Sequence, residues 1–201
     1  MIYAHVVQVK NLNSVMEPFH NMTILRVLDY PDPRLKTVAE PVTDINDPEV
    51  QQMISDMLET LENTPNCGGL AASQLDITNP KRIFVFYDFI ESEGTPAVPT
   101  CVVNPEIVHA EGEVFEEEGC MSVYPNYIQA KVMRPAMTHM RALDRHGKPV
   151  EYIRSGYLAK NFMHEIDHLN GKLYIDHLKP VKRTMVNGKI AKAKRLVEKQ
   201  A

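Results

Sequence analysis

Apolar and polar residues follow each other along this chain in two rhythms, and the changes of rhythm divide it into elements. From Pro48 onward Val50, Met53, Ile54, Met57, Leu58 and Leu61 recur at three-and-four spacing, which puts them on one stripe of a helix. Asp47 stands where an N-cap carboxylate accepts from the first free amides, and Pro48 at the first helical position gives up an amide that has no partner anyway. That stripe reads as core. Beyond a small-residue loop, NCGGLAAS, the rhythm shortens. Arg82–Phe89 and Thr100–Val108 are rich in β-branched and aromatic residues and read as strands. Ala136–Leu143 and Pro149–Arg154 read as two more, joined by a hairpin turn at Arg145-His146-Gly147-Lys148. The helical rhythm returns after Ser155, a capping residue, and runs to about Asn170, where Gly171 can take the left-handed conformation that ends a helix. A helix, several mostly antiparallel strands and a second helix predict an α+β fold in a single domain.

Composition narrows the class. A chain of 201 residues with 44 % hydrophobic and 24 % charged positions can bury a core without staples, and its net charge of -4 does not suit a sequence-specific nucleic-acid binder. The charge is unevenly placed. From Lys179 there are eight Lys or Arg and one acid, Glu198, a tail of +7 that leaves -11 for the rest of a chain totalling -4. Residues 179–201 therefore form a basic tail, able to be helical, that could meet a partner. Three cysteines, Cys67, Cys101 and Cys120, argue for a reducing compartment in place of a disulfide framework. No apolar run reaches the roughly 18 to 20 residues of a membrane span, and the N-terminus lacks a basic segment followed by an apolar one. Residues 1–21 show little periodicity, one Lys and no Arg, and read as a loosely ordered extension, with Met22 an alternative start. The expected location is the cytoplasm.

The second helix carries the chemistry. His164-Glu165-Ile166-Asp167-His168 places two imidazoles four residues apart, on one helical face, where both can reach one metal. Glu165 beside the first can hold and deprotonate water acidified by that metal. Phe162, Ile166 and Leu169 bury this helix, and buried histidines without partners would be costly. The third ligand decides the class. A further histidine six residues past His168 would make a metzincin, but Tyr174 stands there, and a helical downstream Glu is represented only by Glu198 in the basic tail. His177 lies nine residues past His168 and stays open on spacing alone. Cysteine is the better choice: Cys120 follows Gly119, precedes residues that look strand-like, and as a thiolate is a strong soft ligand. Cys67 and Cys101 are rivals for this place, the latter in an apolar strand where it reads as a small core residue.

Three separated motifs together resemble the peptide deformylase family: Gly69-Leu70-Ala71-Ala72-Ser73-Gln74, Glu118-Gly119-Cys120-Met121-Ser122 and His164-Glu165-Ile166-Asp167-His168-Leu169, within about Met22 to Asp176. The resemblance implies a catalytic domain over 22–178, with strands around a central helix bearing the histidines. It implies one divalent ion on Cys120, His164 and His168: Fe2+ in the cell, with Zn2+, Ni2+ or Co2+ in preparations. It implies removal of the formyl group from the N-formyl-methionyl end of newly made polypeptides, releasing formate. Glu165 would move the proton, Gln74 and the Met121 backbone N–H would face the developing oxyanion, and Gly69 and Leu70 would align the substrate. Glu118 matches a position that orients its neighbours, while Glu116 and Glu117 read as a solvated face. In some bacterial members a C-terminal helix contacts the ribosome, which the basic tail here would suit. The chain departs from the pattern at Cys67-Gly68-Gly69, where Gly, an apolar residue and Gly are usual, at Val123-Tyr124-Pro125-Asn126-Tyr127-Ile128, and at Met163, where Gln is common. Two other readings use the same residues: a metalloprotease acting on internal peptide bonds, and a binding module without turnover.

Overall fold

The computed structural model describes residues 23–89 and 96–199; the extension expected at 1–21 lies outside the described residues. The fold is α+β with antiparallel strands. Three helices, α1 (Pro48–Glu62), α2 (Gly156–Leu169) and α3 (Pro180–Glu198), accompany seven strands: β1 (Gly69–Ala71), β2 (Ile83–Asp88), β3 (Val98–Glu111), β4 (Val114–Glu118), β5 (Ala130–Arg134), β6 (Met137–Leu143) and β7 (Pro149–Ser155). Five form one sheet in the order β1-β2-β3-β6-β7, with β1 at an edge, and β4 pairs with β5 apart from it.

The sheet is covered on both faces, which explains the unbroken apolar run of β2. Ile83 and Val85 turn toward the stripe Val50, Ile54, Met57 and Leu61 of α1, joined by Cys101 and Val103 of β3. Phe84 and Phe86 turn the other way and meet Leu158 and Phe162 of α2 with Val102 and Met140. Alternation on a pleated strand makes this possible, and each such side chain contributes about 1.5–3 kcal/mol when fully buried. Phe162 lies edge-on to Phe86, with ring centres 5.1 Å apart. A third cluster, separate from these, packs Val132 of β5 with Tyr174, Ile175, Val186 and Ile190, and so seats α3.

The local signals act as expected at α1, where Asp47 accepts from the Glu49 N–H at 2.8 Å. Gly171 follows α2 at φ +68°, and a Cβ there would come within 2.5 Å of the Lys36 carbonyl oxygen, so both conformation and space require glycine. Three details differ from the sequence expectations. Ser155 occupies the N-cap of α2 with no side-chain hydrogen bond to the helix. The small-residue loop contains a strand, because Gly69–Ala71 add to the edge of β2. The residues after Cys120 are turns: the Val123 N–H donates to the Cys120 carbonyl and the Ile128 N–H to that of Tyr124, which consumes backbone groups a strand would need.

Candidate metal centre

Three elements bring the candidate ligands together. Helix α2 presents His164 and His168 on one face, with Nε2 atoms 3.2 Å apart. The turn after β4 presents Cys120, whose Sγ is 3.2 Å from His168 Nε2. All three donor atoms lie within 4.8 Å of one another, and all three residues are buried. From the turn after β1, Gln74 approaches from the other side. Its Oε1 accepts from the Ala71 N–H at 2.9 Å, which fixes the amide so that Nε2 lies 3.6 Å from Cys120 Sγ and 3.4 Å from Ser122 Oγ. Ser73, next to it, donates to the His168 carbonyl at 2.7 Å and ties that turn to α2.

The ring of His164 is held from behind. Its Nδ1 lies 3.3 Å from Glu118 Oε2, and Glu118 in turn accepts two hydrogen bonds from the Arg134 guanidinium, at 2.8 and 2.9 Å. Arg134 also donates to Asp167 at 2.7 Å. Burial works against a charged Glu118, but hydrogen bonds from His164 and Arg134 outweigh it and hold the carboxyl at about 2. Asp167 is likewise held below its ordinary range, against its burial, by His177 and Arg134. His177 is thus engaged with Asp167, its Nε2 2.7 Å from that carboxylate, and stands outside the group of three donors.

Glu165 is only 2 % exposed, and burial pushes its carboxyl up to about 7. Its Oε2 has no hydrogen-bond partner among the described residues, and neither has Asn161 Oδ1, one helical turn earlier. Gly69 lies against both: a Cβ there would stand 2.8 Å from Glu165 Oε1 and 3.0 Å from Asn161 Nδ2. Met121, Gln74, Gly69, Glu165 and His164 line a cavity of about 770 Å³ that reaches Cys120. Leu70 differs, since its side chain is fully buried in the α1 core and leaves only its backbone at this edge. Cys101 lies in that core too, whereas the Cys67 thiol donates to the Gly69 carbonyl at 3.2 Å.

The donor chemistry fits one divalent ion. A thiolate and two imidazoles suit first-row metals, and three protein ligands leave a position for reaction. Burial disfavours a charge on His164, yet Cys120 and Glu118 overcome it and raise the affinity of that ring for a proton. His168 beside it is pushed the other way, well below its ordinary range, by burial and by the charge of His164. Buried oxygens without partners, as at Glu165 and Asn161, point to something that binds beside them.

Arg134, Asp167 and Asn161 carry this arrangement without having been singled out in the sequence. Arg134 had a signal: it falls in phase with Ala130 and Val132 on β5, so the strand that buries those two buries it as well.

The family model described as polypeptide deformylase matches residues 24–184. Peptide deformylase 1 of Coxiella burnetii is 45 % identical over 172 residues, covering 86 % of this chain and 98 % of that protein. Peptide deformylase 2 of Xanthomonas campestris is 43 % identical over 178 residues, with coverage of 88 % and 99 %. Among solved structures, a peptide deformylase from Legionella pneumophila superposes with a TM-score of 0.75 at 40 % identity, covering 88 % of this chain and 98 % of that one. The enzyme from Ehrlichia chaffeensis in complex with actinonin gives 0.74 at 34 % identity, with coverage of 87 % and 98 %.

Proposed function

This chain belongs to the polypeptide deformylase family, and from that premise we propose how its residues divide the work. It is a metallohydrolase that removes the formyl group from N-formyl-methionine at the end of a polypeptide. The observation that carries the division of roles is the convergence of Cys120, His164 and His168 beside the buried, unpartnered Oε2 of Glu165.

Cys120, His164 and His168 hold one divalent ion, Fe2+ in the cell and Zn2+, Ni2+ or Co2+ where the preparation supplies them. When bound, the ion supplies Lewis acidity toward water and the formyl oxygen. Glu165 takes a proton from the attacking water and delivers it to the departing nitrogen as the carbon–nitrogen bond breaks, leaving formate and a free amine. The Gln74 amide and the Met121 N–H meet the charge that develops on the formyl oxygen. The edge at Gly69 and Leu70 aligns the peptide backbone as an added strand. Glu118 and Arg134 keep the His164 ring in place.

The catalytic domain spans 22–178 around α2, which packs on β1, β2, β6 and β7. The partners are formylated nascent chains, met in the cytoplasm. No helix among the described residues is long and apolar enough to cross a membrane. Helix α3, with the basic residues of 179–201, supports a contact with ribosomal RNA phosphates; binding to ribosomes that weakens steeply with salt is the expected result.

Formate release from a formyl-methionyl peptide by anaerobically prepared, iron-loaded protein tests the reaction. Wild type should release formate and Glu165→Gln should lose about 10²- to 10⁴-fold while keeping its metal. Wild type without activity at full metal content would refute this assignment of roles.

A further inference from the structure

We propose that His177, from outside the group of three donors, is a positioning residue that steadies the ring of His164; the inference rests on the metal-site reading above. Spacing alone left His177 open as a ligand, and the structure gives it another partner. Its Nε2 lies 2.7 Å from Asp167 Oδ2, and the same oxygen accepts from Arg134 Nη1 at 2.7 Å. Arg134 turns Nε and Nη2 to Glu118, at 2.8 and 2.9 Å. Glu118 Oε2 then faces His164 Nδ1 at 3.3 Å, on the side of the ring opposite the Nε2 that approaches His168. Asp167, Arg134 and Glu118 thus link His177 to His164 without a gap.

The side chains of Arg134, Glu118 and Asp167 are 3 %, 4 % and 11 % exposed, whereas that of His177 is 36 % exposed. The link therefore runs from the surface into the centre, and within it charged groups act on one another in a low dielectric, so a change at one is felt by the next. Asp167 Oδ2 is shared by two donors. Without His177 it depends on Arg134 alone, which draws the guanidinium away from Glu118 and loosens the hold on His164. A second route ends at the same ring. The turn Tyr174–His177 carries Tyr174, whose ring stacks on His164 with centres 6.2 Å apart and planes at 26°. The contact of His177 with Asp167 pins the end of that turn to α2, so both the edge and the face of His164 answer to it. The fold has other anchors here: Leu173 and Ile175 are buried in the third cluster, and Asp176 pairs with Lys36 and Arg183.

The test uses full-length protein loaded with Co2+, whose visible absorption bands follow the arrangement of its donors. Removing a group that touches a ligand typically costs about 10- to 100-fold in metal affinity or activity, and His177 stands further out. His177→Leu, or His177→Ala where the larger side chain prevents folding, should shift the Co2+ bands, speed metal release to a chelator by about three- to tenfold, and lower kcat by a similar factor with KM within about twofold of wild type. His177→Gln keeps an N–H that can reach Asp167 and should return all of these to within about twofold of wild type. Wild-type bands and release rate in the apolar variant overturn the inference, even if its thermal stability falls, because His177 then serves the fold alone. Equal change in the Gln variant overturns it too, since the hydrogen bond to Asp167 is then not what matters. Shifted bands together with absence of formate from wild type would uphold the positioning role and sink the deformylase reading.

Discussion

Cys120 is the residue on which the proposed centre depends most, because it supplies the one soft donor and comes from a turn, whereas His164 and His168 are held by a helix. Cys120→Ala should retain little metal after dialysis against a weak chelator, with its helical content unchanged; metal analysis beside circular dichroism checks both. Gln74 has two tasks in one amide. Its oxygen binds the Ala71 N–H and its nitrogen faces Cys120, so Gln74→Ala removes an anchor and a donor together. The expected loss is about 10²- to 10³-fold in kcat with metal retained, measured by formate release. These residues were legible in the chain because His164 and His168 keep helical spacing and the three motifs have fixed internal order. Asn161 was not, since a lone Asn on a helix has no pattern and its significance lies in what Gly69 and Glu165 place around it.

At the scale of elements, the β4–β5 ribbon joins the cysteine turn to the histidine helix. Glu116 and Glu117 are exposed, as a run of acids suggests, but Glu118 is buried and paired with Arg134 of β5, which also reaches Asp167 on α2. Removing the guanidinium would leave two buried carboxylates without their arginine, with only His164 beside Glu118 and His177 beside Asp167. Arg134→Met should therefore cost about 3–5 kcal/mol of stability, seen by chemical denaturation, and weaken metal retention through the loosened His164 ring. The helix α1 and strands β2, β3, β6 and β7 were read close to their true limits, because both caps and periodicity marked them. The ribbon was not read as a pair. Its strands carry Glu and Lys on the outer face, and the phase that Ala130, Val132 and Arg134 share becomes informative only once β5 is known to pair with β4.

For the whole molecule, one carboxylate links distant parts of the chain. Asp176 pairs with Lys36 from before α1 and with Arg183 of α3, and accepts from the Leu173 N–H. Burial opposes its charge, but the hydrogen bonds from Lys36 and Leu173 and the charges of Lys36 and Arg183 outweigh that and lower it below 3.8. A depressed folded value means that the unfolded chain binds this proton more readily, so the contribution is present above 3.8 and fades as pH falls through the folded value. Asp176→Asn should lose stability near neutral pH and show a shallower decline below about pH 4 in thermal unfolding. The open side of β1 has one more consequence. An unpaired strand edge invites other chains to add to it, the route by which sheets stick together, and many proteins guard such edges with lysine or proline. Here the edge is three residues long, followed at once by the turn Ala72–Gln74 and faced by Tyr157. Three residues give room for one short extended partner and too little length for a second sheet to zip onto it.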